Sequence, residues 1–533
     1  MNTAEIIVRR LEAAGVRWVF GIPSGPVLPL IDALRQSTIE FVLTTNETSA
    51  GFMATVVGQL TGSPGVCVAT VGPGATNLTT GVGAAWLDRA PCLAITCNVA
   101  TPWLNRRIQM RIDHHALFRP LSKDTVALTA ANADLALQEA IALACAEPPG
   151  PVHLDLPEDV AVAPAAQGAP PLHERAPKPA DISATVEGVL QKALAESRRA
   201  LLITGLSVNR SRLAQPLRRF VEAHGIPFIS TLHGKGLLPE SHPLWCGVLG
   251  RARRTTVQAL VKRADLVIAI GYDPIEINYE EWLGDTPLVH VDYEAADISA
   301  SVNTLLNVGG DMDGAVERMA AMPPSGNDWT AAELDTHRRT LESALRPPMG
   351  GDLATYHVLD ALRARLPADG ILAYDVGAHT HQIATQWRTD QPLTCLATNG
   401  WSSMGFGMPA AYAAKLVFPD RAVACVVGDG GFLMTAGELS LARRMNLAVP
   451  TVVLNDGWLG LMKVKQERRG YQLSGVHLGE PPSSPPHYFG VPCRSARTLD
   501  ELHAALDWGL TLDGPSVIEA FVTVEPYSET VYD

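Results

Sequence analysis

Two glycine turns in the last third of the chain carry oxygen-bearing residues whose chemistry suits a hard divalent cation. Asp429 lies in Gly428-Asp429-Gly430, directly after the apolar run Ala422 to Val427. Asn455 closes a second apolar run, Val449 to Leu454, and leads into Asp456-Gly457. A carboxylate, a side-chain amide oxygen and a nearby backbone carbonyl are ligands for magnesium or calcium, with phosphate oxygens completing the shell. The small residues of the first turn let a ligand approach the backbone closely. The implied ligand is a phosphorylated cofactor. A third carboxylate, Glu47, stands between the apolar run Phe41 to Thr45 and a small-residue helix, Thr48 to Leu60. Taken alone, a carboxylate there reads as a partner for the helix N-terminus.

The elements around these residues follow a strand, turn, helix, strand pattern. Phe432 to Met445 has helical spacing between the two apolar runs. In such a unit the strands are parallel, so Asp429 and Asn455 fall at the same carboxyl end, where open α/β sheets bind ligands. The pattern recurs at the N-terminus. Pro23-Ser24-Gly25 turns above a strand end, and Gly72-Pro73-Gly74-Ala75-Thr76-Asn77 links the next strand to a helix. A polar stretch with Gln109, Asp113, His114 and His115 follows. Further on, Asp375-Val376-Gly377 precedes His379 at another strand end, and Met404 lies in an apolar run.

A chain of 533 residues exceeds one core and suggests three or four domains at roughly 150 residues each. Val160 to Ala180 and Met322 to Gly351 are Pro-rich and weakly patterned, and read as linkers. They leave three α/β blocks, 1–165, 181–335 and 350–533. Hydrophobic content of 47% with 18% charged residues describes a soluble globular protein. A net charge of -13 argues against a nucleic-acid partner. The N-terminal segment lacks the apolar core of a signal peptide, and no run approaches the 18 or so apolar residues of a membrane span. Eight scattered cysteines, none with zinc spacing, indicate a reduced, cytoplasmic protein.

The Gly428-Asp429-Gly430 turn, closed by Asn455 and Gly457, resembles the metal-diphosphate motif of thiamine diphosphate enzymes. The chain as a whole is most similar to acetolactate synthase-like carboligases. That resemblance implies three doubly wound parallel-sheet domains: pyrimidine-binding, central and diphosphate-binding. It implies thiamine diphosphate and Mg2+ as cofactors, the ion held by Asp429, the Asn455 amide and the Gly457 carbonyl. Gly428 and Gly430 then border the diphosphate, His379 stands near it, and Met404 lies beneath the cofactor. Glu47 becomes the residue that activates the cofactor through its pyrimidine ring, with Pro23, Gly25, Gly74 and Asn77 nearby. Leu461, with Met462, lines the reacting carbon's side. His114 and His115 stand where a proton-transfer pair is found in decarboxylases of the family.

The resemblance also implies a homodimer or homotetramer with sites between subunits, one chain's Glu47 serving the other's Asp429. FAD is not expected, because Tyr272-Asp273-Pro274-Ile275-Glu276 replaces the Arg-Phe-Asp-Asp-Arg of flavin-binding synthases, although the basic cluster Arg251, Arg253 and Arg254 leaves a nucleotide or CoA contact open. The reaction implied is decarboxylation of a 2-oxo acid followed by carboligation. A simple 2-oxo acid decarboxylase and an acyl-CoA type lyase are the alternatives. A scaffold with a vestigial site is the reading from another class, which intact Glu47, Asp429 and Asn455 disfavour.

Overall fold

The apolar, β-branched runs form strands that are buried on both faces, as strands are when helices cover both sides of a parallel sheet. The computed structural model describes residues 1–166, 168, 179–210, 213–479 and 484–531. The first sheet contains β1 (Trp18–Gly21), β2 (Glu40–Leu43), β3 (Gly65–Ala69), β4 (Cys92–Asn98), β5 (Asp124–Ala127) and β6 (Pro151–Pro157), in the order β2-β1-β3-β4-β6-β5. The second contains β7 (Ala200–Thr204), β8 (Phe228–Ser230), β9 (Trp245–Val248), β10 (Leu266–Ile270), β11 (Leu288–Asp292) and β12 (Thr304–Gly309), in the order β12-β11-β10-β7-β8-β9. Both are wholly parallel.

The third sheet contains β13 (Ile371–Tyr374), β14 (Cys395–Leu396), β15 (Val423–Gly428), β16 (Pro450–Asn455), β17 (His487–Tyr488), β18 (Val491–Ala496) and β19 (Ser516–Phe521). Its order is β14-β13-β15-β16-β19-β18-β17, and only β17 runs antiparallel. In every sheet the chain leaves the first strand on one side and returns to the other, so β1 lies between β2 and β3, β7 between β8 and β10, and β13 between β14 and β15. This is the doubly wound α/β arrangement, and it opens a crevice at the carboxyl end of each switch point.

The first and third sheets share one hydrophobic core. At its centre is the helix Glu47–Thr61, in which every residue from Ser49 to Gly58 is buried. A helix apolar on all sides needs neighbours on all sides. It packs on Pro73–Leu87 through Gly51 and Gly81, where a Cβ on either glycine meets the other's Cα at 2.7 and 2.5 Å. On its far side Phe52 meets Phe406, before the helix Gly407–Val417, edge to face at 5.5 Å. The second sheet has cores of its own on its two faces.

Two sequence expectations need correction. Most of the Met322 to Gly351 stretch is ordered, with a helix at Ala331–Leu345. Thr330 and Glu333 form its capping box, a signal the prolines around it masked. The helix expected over Phe432 to Met445 is three pieces, Asp429–Thr435, a 3-10 turn Ala436–Glu438 and Leu439–Arg444. The break turns the Glu438 carboxylate toward Thr45, whose N–H and hydroxyl donate to it at 3.0 and 2.7 Å. Of the expected linker Val160 to Ala180, residues 167 and 169–178 lie outside the described residues. Tyr272 to Glu276 is tied into the protein, with Asp273 accepting from Arg89 at 2.9 Å and Glu276 accepting from the Leu206 and His233 amides.

The glycine contact between the two helices sets where Glu47 stands. Gly51→Ala adds a methyl group with nowhere to go, and a destabilisation of about 1–3 kcal/mol is expected, measured by denaturant unfolding of the cofactor-free protein.

Candidate cofactor site on two sheet edges

At the carboxyl edge of β1, β2 and β3, Glu47 is the first residue of its helix. Asn46 caps that helix by accepting from the Thr48 amide at 2.8 Å, which leaves the Glu47 carboxylate free of the capping role the sequence suggested. Glu47 is buried instead against the next loop: its Oε2 accepts from Asn77 Nδ2 at 3.1 Å, and a Cβ on Gly74 would stand 3.2 Å from its Oε1. Glu47, Gly74 and Asn77 are thus brought together by a strand end and a helix start 27 residues apart in sequence or more. Pro23 and Gly25 stand exposed after β1 on the same edge, and nothing lies within 4 Å of a Cβ built on Gly25.

His114 and His115 face inward. His114 is 1% exposed; its Nε2 accepts from the Gly72 amide at 3.3 Å, and its Nδ1 lies 2.9 Å from Thr96 Oγ1 and 3.2 Å from Asp155 Oδ1. His115 is partly exposed, with Nδ1 2.9 Å from Thr125 Oγ1 and Nε2 3.6 Å from Asp155 Oδ2. Both rings are engaged by the interior of the first sheet, which differs from a pair presented to a substrate.

At the carboxyl edge of β13, β15 and β16, Asp429 opens the helix Asp429–Thr435. Its two oxygens accept from Gly430 and Gly457 amides, each at 2.7 Å, and burial raises its carboxyl above the usual range. The sequence groups it with the Asn455 amide and the Gly457 carbonyl, and Asn455 ends β16 beside the end of β15. Asn455 lies on the same face of the sheet as Glu519 of β19, through the register Val453↔Glu519 and the two-residue alternation of a strand, and its Nδ2 donates to Glu519 at 2.8 Å, which leaves its Oδ1 as an oxygen donor. The Gly457 carbonyl accepts from the Leu478 amide at 2.8 Å. Asp456 is half-buried; its Oδ1 accepts from the Trp458 amide at 2.8 Å, and burial and then the charge of Asp429 raise its pKa to about 7. Asp429, the Asn455 amide oxygen and the Gly457 carbonyl are hard-oxygen groups of the kind a divalent cation takes.

His379 completes this edge. It is buried and its Nε2 has no hydrogen-bond partner among the described residues, while burial pushes its pKa down to about 4. Its Cε1 lies 2.6 Å from a Cβ built on Gly377 and 3.0 Å from one built on Gly428, so both turns must be glycine for the ring to sit there. Gly430 is likewise bounded by Met404 Cε at 3.0 Å and Leu459 Cδ2 at 2.9 Å. Leu461, expected beside them, packs with Ala378, Val464, Tyr527 and Val531 on the inner side of the helix Gly460–Arg468, and Met462 is 44% exposed. The glycine cradle, the unpartnered His379 nitrogen and the Asp429 carboxylate fit a cation with a phosphorylated cofactor.

Asp375, which the sequence reading passed over as part of a strand end, organises the loop that carries Met404. It is buried and accepts from the amides of Val376, Gly405 and Phe406 at 2.8, 2.9 and 3.2 Å. Even with these donors, burial raises its pKa to about 6.

Residues 1–117 match the N-terminal TPP binding domain of thiamine pyrophosphate enzymes, residues 189–319 their central domain and residues 375–520 their C-terminal TPP binding domain. A probable acetolactate synthase large subunit of Methanocaldococcus jannaschii is 30% identical over 99% of this chain and 92% of its own length. The large subunit of acetolactate synthase isozyme 2 from Escherichia coli is 29% identical over 98% of this chain and 96% of its own. An acetolactate synthase large subunit of Corynebacterium glutamicum is 33% identical over 87% of this chain and 76% of its own.

Asp375→Ala removes the acceptor from three backbone amides at once. Buried donors left unpaired cost about 1–3 kcal/mol each, so the variant is expected to unfold at clearly lower urea concentration than the parent, in the absence of any cofactor.

Proposed function

The chain belongs to the thiamine pyrophosphate enzyme family, and on that premise we propose that it decarboxylates a pyruvate-like 2-oxo acid and joins the remaining fragment to a second carbonyl compound. It is a thiamine diphosphate-dependent enzyme of the carboligase or transferase type. The observation that carries the choice of carboligation over simple decarboxylation is the inward placement of His114 and His115. The fragment left after carbon dioxide departs takes either a proton or a second carbonyl carbon. A site whose two neighbouring histidines are committed to Gly72, Thr125 and Asp155 offers few proton donors. Met404, Leu459 and Leu478 around Gly430 add apolar surface that excludes water.

When bound, thiamine diphosphate supplies a thiazolium ring that serves as the electron sink. The chain's own residues hold and orient it. Asp429, the Asn455 amide oxygen and the Gly457 carbonyl would hold Mg2+, whose charge would offset part of that of the diphosphate. Gly377, Gly428 and Gly430 keep side chains away from that end, and His379, neutral through burial, stands against the first two. Glu47, with one oxygen fixed by Asn77, keeps Oε1 beside Gly74, where it holds or gives up a proton to the pyrimidine end.

A second copy of the chain completes the site. Leu433 and Met434, in the helix that Asp429 opens, are 69% and 64% exposed, and apolar side chains in the middle of a functional edge call for a cover. In this reading Glu47 of one chain faces Asp429 of another, in a dimer or a dimer of dimers. The central domain is structural, its switch-point loop being occupied by Glu276 and the Arg89–Asp273 pair, and FAD plays no part.

Purified protein with pyruvate, alone and with a second 2-oxo acid, is expected to give acetolactate-type products, measured by mass spectrometry. Stoichiometric acetaldehyde with no ligation product under any acceptor transfers the assignment to a decarboxylase. Glu47→Gln is expected to keep cofactor affinity and lose about 10²- to 10⁴-fold in turnover, the range for a general acid–base group. For the ion, calorimetry with Mg2+ and thiamine diphosphate is expected to show binding abolished in Asp429→Ala and strongly weakened in Asn455→Ala. Unchanged affinity in both variants, with and without a chelator, overturns the ligand assignment.

A further inference from the structure

The turn that meets Glu47 is itself held from behind. Gly72 has φ +70°, and a Cβ there would stand 2.3 Å from the Met110 carbonyl oxygen, so this position is closed to any side chain. Its amide needs an acceptor because it is buried. That acceptor is His114 Nε2 at 3.3 Å. A backbone N–H only donates, so Nε2 must carry the lone pair and the ring proton must sit on Nδ1. Nδ1 faces two groups that can accept, Asp155 Oδ1 at 3.2 Å and Thr96 Oγ1 at 2.9 Å, with the Asn98 amide nitrogen farther away at 3.5 Å. Asp155 is fixed in turn by Asn98 Nδ2, 3.1 Å from each of its oxygens.

We propose that His114 is a positioning residue of the reaction: Asp155 fixes its Nδ1–H tautomer, and its Nε2 clamps the Gly72 amide so that Gly74 and Asn77 stand against Glu47. The inference rests on the reading of Glu47 as the activating carboxylate. Two residues after Gly72 comes Gly74, whose Cβ position is 3.2 Å from Glu47 Oε1, and five residues after it comes Asn77, which donates to Oε2. A slack turn moves both of the groups that fix the carboxylate.

The surroundings support a clamp over a metal site. His114, His153 and Asp155 have ligand atoms within 4.8 Å of one another. The Thr96 hydroxyl stands at their meeting point, 2.7 Å from His153 Nε2 and 3.4 Å from Asp155 Oδ1, in addition to its contact with His114. His153 stacks flat on Phe118 at 4.3 Å, and burial keeps it neutral, pushing its pKa down to about 3. Burial favours a protonated Asp155, but the hydrogen bonds from His114 and the Asn98 amide bring its pKa below the usual carboxylate value. The cluster therefore keeps one anion, Asp155, against the Nδ1 edge of His114.

The test compares His114→Gln, whose amide oxygen can still accept from Gly72, with His114→Leu, which offers no acceptor. In cofactor-free protein, amide hydrogen exchange of the segment around Gly72 is expected to quicken about tenfold or more in His114→Leu and to stay near the parent rate in His114→Gln. Turnover is expected to fall about tenfold or more in His114→Leu and to be mostly restored in His114→Gln, with unchanged cofactor affinity in both. Unchanged exchange in His114→Leu, or His114→Gln as slow in turnover as His114→Leu, overturns the proposal. Should His114→Leu fail to fold, nitrogen-15 spectra of histidine-labelled parent protein decide: an unprotonated Nε2 and a protonated Nδ1 are required, and a proton on Nε2 overturns the clamp. Failure of the Glu47 reading looks different, since it appears as full turnover in Glu47→Gln with parent-like exchange at Gly72.

Discussion

The burial of one helix on all sides is the constraint on which the rest of this structure depends. Glu47–Thr61 lies in a core common to the first and third sheets, pressed on one side against Pro73–Leu87 through paired glycines and on the other against Phe406. Close-packed interiors do not deform smoothly. A helix held this way delivers its first residue, Glu47, to a fixed place, and the helix it touches delivers Gly74 and Asn77 to the same place. The chemistry at the first edge is therefore set by packing that begins one turn away from it.

The second edge is set by electrostatics. Asp375 is buried, and Asp429 and Asp456 are half-buried, near the ends of β13, β15 and β16, and burial acts to protonate each of them. Backbone amides stabilise Asp375 and Asp429 as anions, but Asp456 also bears the field of Asp429. Removing one acceptor from a buried network costs more than the net worth of the bond, because the donors stay behind. Asp375, held by three backbone amides, is therefore structural at this edge.

Much of this was legible in the sequence, and the remainder was hidden for identifiable reasons. Turn glycines and strand-end acids were readable because their types are demanded by backbone geometry: Gly428, Gly430, Gly74 and Asp429 stand at the edges their motifs suggested. The partner of the Asn455 amide nitrogen was not readable, since Glu519 lies on β19, more than sixty residues away, and only the register of β16 with β19 brings the two together. Leu461 and Leu459 are separated by one turn boundary, and only the start of the helix at Gly460 decides which of them meets Gly430. The Ala331–Leu345 helix carried a complete capping box, but local proline content outweighed it. Asp155, the anchor behind His114, had no motif around it and is visible only through β4 and β6 lying side by side.

The same packing that fixes each edge also separates the two edges within one chain. Thr45, two residues before Glu47, donates through its amide and hydroxyl to Glu438, nine residues beyond Asp429, and Arg444 reaches the Leu43 carbonyl. These contacts hold the start of the Glu47 helix to the far end of the segment that Asp429 begins. In this chain the near end of that segment, with Leu433 and Met434 uncovered, points its apolar side chains to solvent. In the proposed assembly, where Glu47 of one chain faces Asp429 of another, the bare end is the one a second copy covers. Sharing the site in that way lets each half be rigid, since neither has to move for the other to be reached.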